Sequence, residues 1–433
     1  MALRVLLASD FFPPFIGGAE LQTRVLARGL ARRGHSVSVA TVWHDGLADT
    51  EAQPGFDVYR LHGLTTSVPW FSTDPKRRFH PPVPDPGITR GLRELIRDLQ
   101  PDVIHASGWI AYSCAAARQG SRTPLVLSVR DYGYTCALRT LMHGADICDG
   151  PALGKCVSCA GSRFGMPKAM AAVGGVFASR SLLARNTAAF HCVSGFVETT
   201  MRRDFLPAPV QSEDRGAVRS VTIPDIVIIP NIMEPPTGST SAVHEDSVAD
   251  SIRDLPEEPF ILFVGALQMH KGLGPLLAAY DQLEPRPPLV LIGSVWPDTP
   301  TSFPVGVTVL RNVPHPGVML AWQRSLFGVV PSIWPDPLPG TVREAMSAGK
   351  AVIASRAGGI VDMVVDGETG LLVPPGDVAA LRDAMTRLIG DTLLRERMGQ
   401  AGQLRTEGFK AESVLPRFEA LYQQLVAASR DGA

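Results

Sequence analysis

Short apolar runs alternate with amphipathic segments along the first half of the chain. Runs rich in Val, Ile and Leu that stop at Gly, Pro or polar residues are typical of buried strands, and apolar residues at helical spacing between them indicate helices. The pattern predicts strands at 4–8, 36–41, 103–106 and 125–129, and helices at 21–33, 91–100 and 180–190, the last one basic and amphipathic. This alternation predicts βαβ units and a parallel sheet.

The second half of the chain repeats the pattern. Strands are predicted at 260–264, 289–292, 328–330 and 351–354, each followed by Gly, Pro or a polar residue, and a last helix is predicted at 411–428. The stretch 235–258 is polar and is interpreted as a linker or an extended surface segment. The sequence therefore predicts an α/β protein with two sheet domains, in which the second half duplicates the first only at the level of the fold.

Composition narrows the class of protein. The chain has 433 residues, enough for two domains with their own cores, and a formal net charge of −1. A nucleic-acid partner is not indicated because no basic stripe is present. No apolar run approaches the length of about 18 residues that a membrane span needs. The apolar N-terminus is interpreted as a strand and not as a signal peptide, because it lacks a small-residue cleavage site. A cytoplasmic location is expected, with peripheral membrane contact left open, and the oligomeric state is not determined by the sequence.

Two carboxylates flank the predicted start of a helix in the run WPDPLPGTVREAMSAGK. Thr341 and Glu344 have the spacing of a capping box, and Gly349 is a plausible end of the helix. A helix N-terminus carries partial positive charge and unpaired N–H donors, so it suits a diphosphate. Asp336 and Glu344 are then expected to reach the hydroxyls of a sugar nucleotide. The alternative is an ordinary capped surface helix.

Other chemistry-bearing residues fall at the same predicted edge. Lys271, Asp336, Glu344 and the pair Gly358-Gly359 all follow predicted strands. Ligands of parallel α/β sheets bind outside the carboxyl ends of the strands, so these residues form one candidate site. Each has a structural alternative, such as a solvated surface lysine at Lys271.

These motifs, taken in order, resemble those of the family four retaining glycosyltransferases over nearly the whole chain. The run from Phe11 to Glu20 resembles the first loop of that family, which holds paired glycines over the donor phosphates. The run from Pro101 to His105 is similar to the family's N-domain strand that faces the acceptor, and Pro230-Asn231 resembles the end of that domain. Asp336-x7-Glu344 resembles the family's E-x7-E motif.

The resemblance implies the GT-B fold, with two facing Rossmann-like domains that have parallel sheets and a C-terminal crossover helix. On this basis residues 1–235 are expected to form the N-terminal acceptor-side domain with a cysteine-bearing insert. Residues 236–410 are expected to bind the nucleotide sugar, and residues 411–433 to pack back on the N-terminal domain. The implied activity is retaining transfer of a sugar from a nucleotide diphosphate donor to a small-molecule acceptor. No metal is required, since a lysine and backbone dipoles neutralise the diphosphate.

The resemblance also implies roles for individual residues. The expected catalytic residues are Asp336, Lys271 and Arg130; the donor-binding residues are Gly17, Gly18, Gly340, Thr341 and Glu344; the acceptor-side residues are His105 and Asp131. His105 has a structural alternative as a hydrogen-bonded core histidine, and Gly17-Gly18 as a simple turn.

The chain departs from the family pattern at several of these positions. Ala266 replaces an Arg that pairs with the lysine on the diphosphate, and Arg130 stands where a His is common. Pro339 removes one backbone donor, and Asp362 is one methylene shorter than the usual Glu. Two other activities therefore stay open: a sugar-nucleotide epimerase or hydrolase of the same fold, and a catalytically silent sugar-nucleotide-binding protein.

Four of the six cysteines cluster in the sequence and end in a Cys-x2-Cys pair. They are Cys136, Cys148, Cys156 and Cys159. Two interpretations stay open, a structural zinc ion held by four thiolates and reduced, packed thiols. The sequence predicts that the four residues lie close together, because Gly150 and Gly154 let the segment fold back on itself.

Overall fold

The structure is a computed structural model that describes residues 1–15, 18–64, 67–68, 78–206, 225–233 and 245–431. The chain divides into two compact units. Unit 1 comprises Met1–Ile232 together with Val414–Ala433, and unit 2 comprises Met233–Ser413. Among the segments named from the sequence, Gly17 and residues 235–244 of the polar stretch lie outside the described residues.

Unit 1 is built on a mostly parallel sheet. Its strands are β1 (Arg4–Ser9), β2 (Ser36–Val42), β3 (Thr50–Gln53), β4 (Phe56–Leu61), β5 (Val103–Ser107), β6 (Leu125–Val129), β9 (Ala189–Cys192) and β10 (Asp225–Ile228), and a separate hairpin joins β7 (Met142–His143) to β8 (Asp146–Ile147). Within the described residues the strand order is β10-β9-β6-β5-β1-β2-β4-β3, and only the β3–β4 pair is antiparallel. The apolar runs at β1, β5 and β6 are almost wholly buried, as the parallel sheet requires.

Helices connect the strands of unit 1. They are α1 (Gly18–Arg32), α2 (Pro86–Leu99), α3 (Ile110–Ala117), α4 (Leu153–Phe164), α5 (Met166–Asn186) and α6 (Gly195–Asp204). The residues of the last helix, α14 (Ala411–Asp431), belong to unit 1 from Val414 onward. Leu415 of this helix packs so closely on Gly29 of α1 that a β-carbon at Gly29 would lie 2.7 Å from Leu415 Cδ1.

A buried chain of hydrogen bonds ties α14 to the sheet of unit 1. His191 Nε2 lies 2.7 Å from the carbonyl oxygen of Ile229, which can only accept, so this nitrogen carries the proton. Ser128 then donates to His191 Nδ1 at 2.8 Å, His105 Nε2 donates to Ser128 at 2.7 Å, and the Tyr422 hydroxyl donates to His105 Nδ1 at 2.6 Å. Each of these four hydrogen bonds therefore has a defined donor and a defined acceptor.

Unit 2 contains a second, wholly parallel sheet. Its strands are β11 (Ile261–Val264), β12 (Leu289–Ile292), β13 (Val307–Leu310), β14 (Phe327–Val330), β15 (Val352–Ser355) and β16 (Gly370–Val373). The order within the described residues is β13-β12-β11-β14-β15-β16. The order reverses direction between β11 and β14, and such a switch point is where open α/β sheets bind ligands.

Helices flank this sheet as well. They are α7 (Glu245–Ser251), α8 (Leu273–Tyr280), α9 (His315–Arg324), α10 (Gly340–Ser347), α11 (Ile360–Met363), α12 (Val378–Gly390) and α13 (Thr392–Arg405). Apolar side chains of α8, α12 and α13 pack with β11, β14 and β15 into one buried cluster. In the described part of the chain, no helix is long and apolar enough to cross a membrane.

The sequence misplaced one helix and missed several strands. The basic helix predicted at 180–190 is the C-terminal end of the longer α5, and Phe190 lies in strand β9. Apolar runs of this length do not distinguish a strand from a helix, which explains the misplacement. The pattern also missed six strands of the two large sheets, which are β3, β4, β9, β10, β13 and β16. Of these, β13 is only partly apolar and β16 begins with Gly370.

Candidate functional site

The candidate site of unit 2 lies at the carboxyl edge of its sheet. Lys271 follows β11, Asp336 follows β14, Gly340 begins α10 directly after that loop, and Gly358 follows β15. These strands are neighbours in the sheet, so their carboxyl ends meet at one edge. The structure thus brings together the residues that the sequence placed after separate strands.

The segment that carries Lys271 is pressed against the end of β14. Gly272 has φ +82°, and a β-carbon there would lie 1.8 Å from the carbonyl oxygen of Pro331. The His270 carbonyl accepts hydrogen bonds from the backbone N–H of Ile333 at 2.9 Å and of Trp334 at 3.2 Å. Only glycine fits this close approach, which explains the Lys-Gly pair.

Lys271 forms an ion pair with Asp336. Its Nζ atom lies 2.6 Å from Asp336 Oδ2 and 4.8 Å from the centre of the Trp334 ring. The side chain of Asp336 is only 8% exposed, whereas that of Lys271 is 25% exposed. The lysine therefore offers its charge to a ligand while its carboxylate partner stays largely shielded from water.

The loop that carries Asp336 is held by the glycine pair after β15. The backbone N–H of Gly359 donates to the Asp336 carbonyl at 2.8 Å. Gly358 has φ +57°, and a β-carbon there would lie 2.3 Å from the same carbonyl oxygen. These glycines position the acidic loop through the backbone.

The predicted capping box at the start of α10 is not formed. The helix begins at Gly340, its N-cap is Pro339, and no side chain caps it within the described residues. Thr341 is therefore the second helical residue, and its hydroxyl is not in the capping position. No side-chain cap from the described residues occupies any of the free N–H groups of the first turn, so they remain available to an anion.

A buried arginine adds positive charge to the first turn of α10. Arg343 is 6% exposed, and a β-carbon at Gly340 would lie 3.8 Å from its Nη2 atom. Burial lowers the pKa of Arg343 to about 10, while the neighbouring Glu344 opposes this shift. The guanidinium thus remains charged at neutral pH beside the helix N-terminus.

Glu344 contacts two residues of α9 and does not reach back to the N-terminus of its own helix, α10. Its Oε2 atom accepts from Trp322 Nε1 at 3.4 Å, and its Oε1 atom lies 3.4 Å from His315 Nε2. The side chain is 26% exposed. These contacts fix the carboxylate in an open position on the α9 side of α10.

Unit 1 has its own polar cluster at the carboxyl edge of its sheet. Asp10 follows β1 and is 4% exposed, and its carboxylate accepts from the backbone N–H groups of Trp109 at 3.0 Å and Ile110 at 2.6 Å. These N–H groups begin α3, so Asp10 acts as a cap from a distant strand. The anion site that this helix would otherwise offer is thereby filled from within the protein.

Arg139 joins Asp10 to Asp131 in this cluster. Its guanidinium lies 3.3 Å from Asp10 Oδ2 and 3.5 Å from Asp131 Oδ2, and its Cζ atom lies 4.3 Å from the centre of the Trp109 ring. Burial alone would lower the pKa of Arg139, but the Asp131 and Asp10 carboxylates outweigh this effect and raise it. Asp131 also accepts from the Gly133 N–H at 2.8 Å, and its side chain is 38% exposed. Asp131 is thus the accessible carboxylate of the pair.

The other residues expected in unit 1 lie in different surroundings. Arg130 donates to the Asn231 side chain, which fixes it to the segment after β10. His105 is 3% exposed, and its hydrogen bonds to Tyr422 and Ser128 leave neither ring nitrogen to a ligand. Gly18 begins α1, while Gly17 lies outside the described residues.

The four clustered cysteines are free thiols in one part of unit 1. Burial raises the pKa of the Cys159 thiol, and the nearby Cys136 and Cys148 raise it further. The same causes raise the pKa of Cys156, although a backbone hydrogen bond partly opposes them. Among the described residues, these cysteines included, no group of three or more metal-ligating side chains is arranged to hold a metal ion. The zinc interpretation therefore gains no support from this geometry.

Some residues of both clusters were missed by the sequence analysis. Asp10 directly follows a predicted strand, so its place at the carboxyl end of that strand could have indicated it. Arg139 has φ +62° in an irregular segment, and no sequence pattern indicates its position. Trp322 and His315 reach Glu344 only through the packing of α9 on α10.

Two family models match the chain. The glycosyl transferase 4-like domain matches residues 17–211, and the glycosyl transferases group 1 model matches residues 249–405. The D-inositol 3-phosphate glycosyltransferase of Corynebacterium efficiens is 29% identical over 188 residues, which are 40% of this chain and 44% of that protein. The chain spans less than half the length of the first curated relatives that it matches.

Solved structures confirm the predicted fold class. Sucrose-phosphate synthase from Thermosynechococcus elongatus has a TM-score of 0.71 and 22% identity, over 98% of this chain and all of that chain. The Anabaena protein HepE in complex with UDP-glucose has a TM-score of 0.64 and 16% identity, over 98% of this chain and all of that chain. At these identities the similarity establishes the GT-B fold alone.

Proposed function

Because the chain belongs to the glycosyltransferases whose 4-like and group 1 models match its first and second halves, we propose that it is a retaining glycosyltransferase that uses a nucleoside diphosphate sugar. The proposed reaction moves the sugar to a small-molecule acceptor and releases the nucleoside diphosphate. The candidate site of unit 2 would bind the donor, and unit 1 would contribute the acceptor side.

One observation carries the proposal: the Lys271 ammonium group and the uncapped start of α10 lie at the same sheet edge. A nucleoside diphosphate leaving group carries negative charge that grows as the bond to the sugar breaks. A fixed cation and free backbone N–H groups stabilise such charge without any rearrangement. Arg343 adds a charge beside Gly340, which compensates in part for the missing arginine at Ala266.

The two carboxylates would have different tasks. Glu344 is held open by Trp322 and His315, which suits a hydrogen bond to the ribose hydroxyls. Asp336 is paired with Lys271, so we propose that it holds the lysine towards the diphosphate and orients the donor sugar. No enzyme nucleophile is part of the proposal, and the acceptor would attack from the face that the diphosphate leaves.

The proposed acceptor side rests on Asp131. This carboxylate is partly exposed, and Arg139 and the Gly133 N–H fix it at the carboxyl edge of the sheet. A fixed carboxylate can orient an acceptor hydroxyl group by accepting its hydrogen bond. Arg130, held by Asn231, is proposed to contribute positive charge near the reacting sugar.

The first donors to test are uridine diphosphate sugars. A protein of the same fold, Anabaena HepE, has been solved in complex with UDP-glucose. Thermal-shift screening against uridine, guanosine and adenosine diphosphates selects the base, since a ligand that binds the folded state raises the melting temperature. The corresponding sugar nucleotides are then incubated with an acceptor mixture, and release of nucleoside diphosphate is measured.

The outcomes separate the candidate functions. Transfer with retention of the anomeric configuration, read by NMR, supports the proposal. Release of free sugar with no transfer supports a hydrolase, and conversion of the donor to another sugar nucleotide supports an epimerase. Tight binding with no turnover of any donor supports a silent binding protein.

A further inference from the structure

A tryptophan is exposed at the carboxyl edge of the sheet of unit 2. Trp296 follows β12 and is 44% exposed, whereas every other tryptophan among the described residues is buried or half-buried. Its neighbour Val295 is 45% exposed, and Met269, in the loop after β11, is 43% exposed. Large apolar side chains that are exposed close together are typical of surfaces that bind a ligand.

The loop after β12 is hydrogen-bonded to the loop after β11, which carries Lys271. The backbone N–H of Met269 donates to Asp298 Oδ2 at 3.0 Å, and the Thr299 hydroxyl donates to the Leu267 carbonyl. Met269 precedes Lys271 by only two residues. The exposed apolar side chains of the two loops therefore lie next to the candidate site.

The polar atoms of Trp296 already have partners within its own loop. The indole Nε1 donates to Ser294 Oγ at 3.1 Å, and the backbone N–H donates to Thr299 Oγ1 at 2.8 Å. These bonds fix the position of the ring, and they leave its apolar surface as the part that a ligand can contact. A fixed aromatic ring binds another flat ring by stacking.

The strand order indicates which part of a donor would meet this ring. Along the sheet β12 is followed by β11 and then by β14, so the loop of Lys271 lies between those of Trp296 and Asp336. With the diphosphate at Lys271 and the donor sugar at Asp336, the base is left on the β12 side. Glu344, the proposed ribose ligand, contacts His315, which follows β13 on that same side.

We propose that Trp296 stacks on the base of the nucleotide and is a specificity-determining residue for the donor. This inference rests on the proposed function, because it takes the positions of the diphosphate and the ribose from it. Stacking on an aromatic side chain strengthens binding about 5- to 150-fold for each base. Met269 and Val295 would extend the apolar surface around the stacked base.

The test is calorimetric titration of the full chain with uridine, guanosine and adenosine diphosphates, and with inorganic pyrophosphate, which has no base. Trp296→Ala should weaken binding of the tightest of the three nucleotides about 5- to 150-fold and should leave pyrophosphate binding unchanged. Trp296→Tyr should restore most of the affinity, because a tyrosine ring also stacks. Val305→Ala is the matched control: Val305 is 89% exposed in the same connection between β12 and β13, and the variant should bind like the parent.

The outcomes separate this inference from the proposed function. Unchanged nucleotide affinity in Trp296→Ala, or an equal loss for pyrophosphate, overturns the stacking role and leaves the proposed transfer activity standing. A loss for UDP-glucose with no loss for uridine diphosphate also overturns it, since the ring would then contact the sugar. If none of the three nucleotides binds the parent, the proposed function fails together with the inference.

Discussion

Lys271 Nζ lies 2.6 Å from Asp336 Oδ2, beside the start of α10. The pair joins the ends of β11 and β14, the two strands at which the sheet order of unit 2 reverses. A lysine held this way is pre-organised, so it need not be ordered again when a diphosphate binds. The pairing also means that a substitution of Asp336 acts on the lysine as well.

The first prediction separates the roles of the two carboxylates. Asp336→Asn removes the charge that fixes Lys271, so we expect turnover to fall about 100-fold or more, with a small change in nucleotide affinity. Glu344→Gln should weaken nucleotide binding about tenfold and change turnover little, because a ribose contact acts equally in the ground and transition states. Kinetics and calorimetric titration of both variants measure this. If both variants lowered turnover equally and left nucleotide affinity unchanged, the proposed division of roles between Asp336 and Glu344 would be contradicted.

The second prediction concerns the glycine that supports the acidic loop. Gly358→Ala places a β-carbon 2.3 Å from the Asp336 carbonyl, so the loop must move and turnover should fall at least tenfold. Gly367→Ala is the matched control, since Gly367 also has a positive φ, +78°, but has open space around it. The left-handed backbone should cost both variants about 1–2 kcal/mol of stability, and the clash should add to this loss in Gly358→Ala. If Gly367→Ala lowers turnover as much as Gly358→Ala, the loop contact is not the cause.

The third prediction tests the buried hydrogen-bond chain of unit 1. Tyr422→Phe leaves His105 Nδ1 without its donor in a dry site, which should cost about 1–3 kcal/mol. The midpoint of urea unfolding, followed by circular dichroism, should fall accordingly. Tyr59→Phe on β4 serves as a control, and its midpoint should stay near that of the parent. An unchanged midpoint for Tyr422→Phe would mean that the buried hydrogen bonds do not anchor α14.

The fourth prediction concerns the dependence of stability on pH. Burial lowers the pKa of His191 to about 3 and holds that of His105 well below 6.5, and burial also lowers the pKa of His80. The unfolded chain therefore binds more protons than the folded chain between about pH 3 and 6.5. Stability should be full above pH 6.5 and should fall steadily as the pH drops below it.

The check is urea unfolding at a series of pH values. His191→Gln should flatten the fall below pH 6.5, because one of the buried imidazoles no longer titrates. His143→Gln, on the exposed β7, should leave the slope unchanged. If the parent protein were equally stable at pH 5 and pH 7.5, the conclusion that burial keeps these histidines neutral would be contradicted.

The sequence predicted the strands of both sheets better than the contacts of the site. Apolar runs such as 125–129 and 289–292 define strands because their burial is complete, and the order of motifs predicted a glycosyltransferase. The start of α10 was misplaced because Thr341 and Glu344 have capping-box spacing, while Pro339 already allows the helix to begin at Gly340. The Lys271–Asp336 pair spans 65 positions, and Arg139 depends on an unusual backbone conformation. Local patterns do not encode such long-range pairs.

The measurement that tests the central proposal most directly is release of nucleoside diphosphate by Lys271→Ala. With the donor selected by the binding screen, loss of this contact should cost about 2–4 kcal/mol in the transition state, so the rate should fall about 30- to 900-fold. Lys410→Ala is the control, because Lys410 forms an exposed pair with Glu407 in the same unit, and its rate should match that of the parent. A folded Lys271→Ala variant that releases the diphosphate at the parental rate would contradict the proposal that Lys271 stabilises the leaving group.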